Sequence, residues 1–203
     1  MDSAGRGADR PKSHTPLARA GRALYRYRSY TPLPLVALLL WKSAPSERTL
    51  WAGIPLITAG EALRLWALRY IGGASRSTGL GAARLVTGGP YGFTRNPLYL
   101  GNLVLSLGLA IASGIHFLPP LLLLLFAIQY VPIIAAEEAD LRSRFPALYP
   151  EYRRHVSRVF SLPAARGGSP PLHGWREAAI IERRTLASVS MLLLFLLARW
   201  WRV

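Results

Sequence analysis

The chain contains no cysteine, which excludes disulfides, thiolate metal sites and cysteine nucleophiles and leaves the redox compartment open. Histidine is scarce: His14, His116, His155 and His173 show no metal-ligand spacing. Neither a Gly-x-Ser-x-Gly elbow nor a P-loop occurs. Gly79-Leu80-Gly81 lacks a preceding strand and a correctly spaced third glycine, so it gives little support to a dinucleotide fingerprint. Acidic residues are also few, 10 against 25 Lys and Arg, for a net charge of +15.

What the chain does have is hydrophobicity in blocks. Of its 203 residues 51% are hydrophobic, with runs such as Leu121 to Leu125. That pattern predicts an all-α polytopic membrane helix bundle of one domain. A basic balance suits nucleic acid or an anionic membrane surface, and arginines that flank apolar blocks favour membrane lipids over nucleic acid.

Residues 1–30 form a basic N-terminal region. Residues 1–15 (MDSAGRGADRPKSHT) read as disordered, and nothing in them reads as a secretory signal. Residues 16–30 set Arg19, Arg22, Arg26 and Arg28 among Leu17, Leu24 and three tyrosines. Two readings stand: an interfacial helix on anionic headgroups, or a basic cytoplasmic tail. Residues 31–203 form the membrane domain, with five apolar segments at about Leu33–Trp41, Leu50–Ile71, Leu98–Phe117, Leu118–Ala139 and Leu186–Trp201. The first is short for a bilayer of about 20 helical residues. Pro119 and Pro120 predict a tight hairpin between the third and fourth, and Pro132 a kink in the fourth. Tryptophans 41, 51, 66, 200 and 201 lie near segment ends, as in an aromatic belt. With the N-terminus cytoplasmic, seven Lys/Arg of residues 1–30, three of 72–97 and nine of 140–184 lie inside, against four outside. The positive-inside rule therefore predicts five spans, N-in and C-out.

Two polar clusters then open on the cytoplasmic side. The first is Gly89-Pro90-Tyr91-Gly92-Phe93-Thr94-Arg95-Asn96-Pro97-Leu98-Tyr99. Pro97 suits the first turn of a helix and Asn96 its N-cap, next to a weak anion site with Arg95. A capped helix with a snorkelling arginine explains those three residues equally well. Tyr99 fits that plainer reading less well, because a buried hydroxyl needs a partner. The second cluster is Glu137-Glu138. Adjacent helical residues point about 100° apart. Glu138 has Arg142 four residues on and reads as a surface pair, leaving Glu137 to face inward. Residues 72–92 are glycine-rich and read as a lid or a linker. Phe145, Tyr149 and Tyr152 fall on one face of a helix expected to pack beneath the membrane domain.

Gly-Pro-Tyr, Arg-Asn-Pro-x-Tyr-x-Gly, the Glu pair and Phe-x-x-x-Tyr-x-x-Tyr, in this order over about residues 50–160, resemble the isoprenylcysteine carboxyl methyltransferase and phospholipid methyltransferase superfamily. The resemblance implies an integral membrane methyltransferase using S-adenosyl-L-methionine, with a cofactor-binding part at about 72–160. It implies that Arg84, Leu85, Val86 and Tyr91 line the cofactor and that Asn96, Pro97, Leu98 and Tyr99 form the core of its motif. Glu137 would contact the cofactor, with Glu138 as its companion. Arg95, Tyr99 and Glu137 are the candidate catalytic residues, and the acceptor would be a lipid or prenyl-type molecule entering from the bilayer. Many members have histidine at Asn96, glycine at Pro146 and, in those acting on prenylcysteine, an arginine near Ile133. The fifth segment, at about 185–201, lies beyond the resemblance. A membrane reductase using NADPH and a non-catalytic protein with a vestigial pocket are the alternative readings.

Overall fold

The computed structural model describes residues 16–72, 84–162 and 168–202. Residues 1–15 and most of the glycine-rich loop lie outside the described residues, so the expectations placed on them stay untested. Among the described residues there are seven α-helices and no strand: α1 (Pro16–Tyr27), α2 (Leu33–Lys42), α3 (Glu47–Ile71), α4 (Pro97–Ala112), α5 (Leu118–Arg144), α6 (Leu148–His155) and α7 (Trp175–Trp201).

Local chemistry sets the helix ends. Ser46 accepts the Thr49 N–H at 3.3 Å while its own N–H donates to Thr49 Oγ1 at 2.9 Å, which fixes the start of α3. Proline occupies the first turn of both α4 and α5. α4 stops at Ala112, five residues before the expected Phe117, because Gly114 turns the chain at φ 73°. A Cβ there would meet the Ala44 carbonyl oxygen at 2.1 Å. α7 starts earlier than its apolar stretch, at Trp175, where the Glu177 carboxylate accepts the Gly174 N–H at 3.1 Å.

Among the described residues α5 is the helix long and apolar enough to cross a bilayer, with 27 residues and a mean hydropathy of 2.1 in its most apolar stretch. α2 and α4 are apolar but shorter, at 10 and 16 residues. At 1.5 Å per residue α4 measures about 24 Å against a hydrocarbon core of about 30 Å.

The core joins Leu39 of α2, Leu50 and Ile57 of α3, Leu105 and Leu109 of α4, Leu118 of α5 and Leu196 of α7. α3 and α4 form the closest seam. Gly53 and Gly60 face Gly108 and Gly101, and a Cβ on Gly60 would meet Leu105 N at 2.5 Å. Small residues at this spacing let two backbones touch. Gly60→Leu is expected to overpack the seam by about 1–3 kcal/mol. A thermal unfolding midpoint equal to wild type in detergent would contradict the seam.

α1 packs along α5. Ala18, Gly21 and Tyr25 form its buried stripe, and Gly21 lies against the Pro132 backbone. Arg19, Arg22 and Arg26 lie on its exposed side. The N-terminal segment is thus a docked helix with a basic outer face, rather than a free tail.

Candidate functional site

A cavity of about 1200 Å³ opens between α1, α3, α4, α5 and α7, roofed by residues 84–99 and α6. Drug-sized ligand pockets run to about 300–1,000 Å³, so this one has room for more than a single such ligand.

The roof is built first. Residues Gly89–Gly92 form a 3-10 turn that buries Tyr91 against Ala67 and Val86. Burial pushes the Tyr91 hydroxyl up from its ordinary value, so it stays neutral. The Tyr152 hydroxyl donates to the Tyr91 carbonyl at 2.7 Å. Tyr149, fully buried, is pushed up to about 12, chiefly by burial. These two tyrosines form the inner face of α6. Phe145 precedes that helix as the cap of α5.

The segment after α6 is laced to the chain entering α4. Arg95 N donates to the Ser157 carbonyl at 2.9 Å, and Ser161 N to the Phe93 carbonyl at 2.7 Å. Thr94, buried, donates its hydroxyl to the Arg158 carbonyl at 2.7 Å and accepts the Asn96 N–H at 3.1 Å.

This lacing corrects two expectations. Asn96 occupies the N-cap position without capping: its side chain donates to the Arg158 carbonyl at 3.4 Å. Glu138 is not a surface partner of Arg142. It is buried and takes both Arg158 Nε at 2.9 Å and Nη2 at 2.7 Å, with Arg95 Nη2 at 3.3 Å. A bidentate guanidinium held by a tertiary loop outcompetes a single-turn pair.

Glu137 faces the cavity, where the Tyr99 hydroxyl donates to its Oε1 at 2.7 Å. Arg95 also lines the cavity. Its Nε and Nη1 are buried without a hydrogen-bond partner among the described residues, and the buried Tyr149 hydroxyl lies beside it. Leu85, Val86, Pro97 and Leu98 line the same wall. Arg84 lines it too, although its Nη2 donates to the Tyr70 carbonyl at 3.1 Å and so ties the roof to α3. The candidate residues therefore share one cavity. Ile133 is fully buried.

Sequence reading missed two features. Arg158 stands 20 residues from Glu138, a separation that carries no periodic signal. The second is a buried polar cluster within the same cavity: Arg64 of α3, Asn102 of α4 and Glu182 of α7. Arg64 Nε donates to Glu182 Oε1 at 3.0 Å, and Arg64 Nη1 to Asn102 Oδ1. Glu61 and Arg64 inside an apolar segment were the available signal, since such residues are candidates for function by default. Among the described residues, no group of three His, Asp or Glu side chains is placed to hold a metal ion.

The model of the phospholipid methyltransferase family matches residues 48–147. This stretch, just under half of the chain, is similar to that family. It covers α3, residues 84–99, α4, α5 and both polar motifs, and leaves α1, α2, α6 and α7 outside. Two relatives carry names of a different kind. The cobalt-zinc-cadmium resistance protein CzcN of Cupriavidus metallidurans is 38% identical over 118 residues, 58% of this chain and 50% of that protein. The nickel-cobalt-cadmium resistance protein NccN of Alcaligenes xylosoxydans xylosoxydans is 33% identical over 120 residues, 59% of this chain and 52% of that protein. The chain thus spans about half the length of these relatives. No solved structure matches.

Proposed function

We propose that this protein is an integral membrane enzyme that transfers a methyl group from S-adenosyl-L-methionine to a membrane-embedded, lipid-like acceptor. The observation that carries the reading is the convergence of the Arg-Asn-Pro-x-Tyr motif and the Glu pair on one cavity, within a span similar to the phospholipid methyltransferase family. In this reading the apolar helices cross the bilayer as five spans, with the roof on the cytoplasmic side.

The donor set fits the cofactor. Arg95 has two buried N–H-bearing nitrogens without a hydrogen-bond partner among the described residues, beside the Tyr149 hydroxyl, suited to a carboxylate. Glu137 and the Tyr91 and Tyr99 rings offer negative charge and π-faces, suited to an ammonium and a sulfonium. Leu85, Val86, Pro97 and Leu98 supply apolar wall, while Glu138 holds Arg95 in place from behind. When bound, the cofactor supplies an electrophilic methyl group on a positively charged sulfur.

Transfer of that group needs alignment and a dry site more than a strong acid or base. Tyr99 fixes the Glu137 carboxylate by their hydrogen bond, and the α6 tyrosines cover the roof against water. Leu125 and Ile128 of α5 line the cavity and are also exposed at the helix surface, so an acceptor chain has a lateral way in.

The test is transfer of tritium from methyl-labelled S-adenosyl-L-methionine into a bacterial membrane lipid extract by the purified protein in nanodiscs. Label appearing in the organic phase is expected with wild type and not with Glu137→Gln. Unlabelled lipid together with absent cofactor binding would sink the reading. The resistance names of the relatives describe those proteins. Here they motivate adding lipids of metal-stressed cells to the acceptor panel.

A further inference from the structure

The turn that joins α5 to α6 brings two helix ends to one hollow of about 420 Å³, lined by Arg142 of α5 and by Pro150, Arg153 and Arg154 of α6. Three guanidiniums share it, and among the described residues no carboxylate lines it. Arg154 Nη1 lies 3.4 Å from Glu151 Oε2, but those side chains are 78% and 61% exposed, and such surface pairs are weak. Arg142 has lost the carboxylate one turn before it, because Glu138 is held by Arg158 and Arg95. Its neighbour Arg144 keeps Asp140 at 2.8 Å. Among the described residues Arg142 and Arg153 make no ion pair. Basic residues suit the last turn of a helix. That explains arginines at each helix end, but not their crowding around one hollow, where like charges repel unless an anion sits among them.

The height of the hollow follows from α5. Its apolar segment ends at about Ala139, and Arg142 stands three residues on. At 1.5 Å per residue that is about 4.5 Å, within a headgroup layer of about 5–7 Å on each side of the hydrocarbon core. The segment leaving α6 agrees. Val159, Phe160 and Leu162 are exposed apolar side chains a few residues beyond Arg153 and Arg154. Apolar side chains beside arginines suit the boundary between hydrocarbon and headgroups.

We propose that this hollow binds the phosphodiester of an anionic phospholipid of the cytoplasmic leaflet. Guanidinium forks match phosphate oxygens, and the acyl chains stay in the bilayer around α5. A lipid held there pins α6 to α5, and α6 carries the roof tyrosines Tyr149 and Tyr152. The inference goes beyond methyl transfer: it needs α5 to cross the bilayer and no cofactor chemistry.

The chain has no cysteine, so Ala147→Cys, exposed at the start of α6, takes a single bimane label. The labelled protein is placed in phosphatidylcholine nanodiscs with a rising minor fraction of phosphatidylglycerol carrying brominated acyl chains, which quench nearby bimane. Brominated phosphatidylcholine gives the curve for random neighbours. Each basic side chain at an anionic surface is worth about fivefold in affinity, so a preference for phosphatidylglycerol on the order of 100-fold is expected. Arg142→Gln with Arg153→Gln and Arg154→Gln is expected to bring the curve back to that of phosphatidylcholine. Arg154→Gln alone changes one exposed side chain, keeps the fold, and is expected to lose about fivefold. Arg19→Gln with Arg26→Gln, on the outer side of α1, is expected to keep the preference. Equal quenching by the two lipids, or a triple variant with the unaltered phosphatidylglycerol curve, overturns the proposal. Displacement of the brominated lipid by micromolar glycerophosphoglycerol, its water-soluble head, would reveal a site for a free phosphodiester and likewise overturn it. Failure of S-adenosyl-L-methionine to bind would sink the methyl-transfer reading and leave this result untouched.

Discussion

Glu137→Gln is expected to weaken S-adenosyl-L-methionine binding by about 10- to 100-fold, the loss of one charge-assisted contact worth roughly 1.5–3 kcal/mol. The substitution keeps volume and can still accept the Tyr99 hydroxyl, which donates to Oε1 at 2.7 Å in the wild type. What it removes is the negative charge facing the cavity. Tyr99→Phe removes the hydrogen bond but keeps both the charge and the ring, so its loss is smaller, about fivefold for a net hydrogen bond of roughly 1 kcal/mol. The order of the two variants matters more than either value. Titration calorimetry in nanodiscs reads both. A Tyr99→Phe defect larger than that of Glu137→Gln would mean that the hydroxyl, not the carboxylate, touches the ligand.

The second large effect concerns stability. Glu182 is fully buried, and the Arg64 side chain it holds is only 12% exposed. Glu182→Ala leaves a buried guanidinium with only the more distant Glu61 carboxylate, 3.9 Å away, and is expected to cost about 3 kcal/mol. Replacing both partners by apolar residues, Arg64→Met with Glu182→Leu, removes two desolvation penalties together but leaves buried Glu61 without the guanidinium 3.9 Å away. That double variant is expected to unfold between Glu182→Ala and wild type. It is expected to fold and to bind the cofactor. Thermal unfolding of the single and double variants in one detergent decides the point. A double variant as unstable as Glu182→Ala would show that the cost comes from α7 packing and not from the buried charge.

Much of the helical layout was legible in the sequence because long apolar blocks between polar stretches admit few other structures. Pro97 and the proline pair at 119–120 mark helix starts for a local reason, a fixed φ and a missing N–H. The inward direction of Glu137 followed from the lack of an i+4 partner. The same logic misplaced Glu138. Arg142 is one turn away, but the chain after α6 returns to the α4 entrance and brings Arg158, with two N–H groups, to both carboxylate oxygens. Nothing within a turn of Glu138 announces a residue 20 positions on. Asn96 was misread for the same reason: its position is local, but its amide bonds to that returning segment.

The sequence by itself determined the helical class, the apolar segments and the two motif clusters, because period, proline and charge act within a turn or two of the chain. Only the tertiary structure decided that the clusters meet in one cavity, that α1 docks on α5, and that Arg64, Asn102 and Glu182 converge from three helices. Those contacts join residues up to 118 positions apart. They arise because buried charges must find partners wherever close packing of the α3–α4 seam and α7 brings them, and no local pattern encodes that choice.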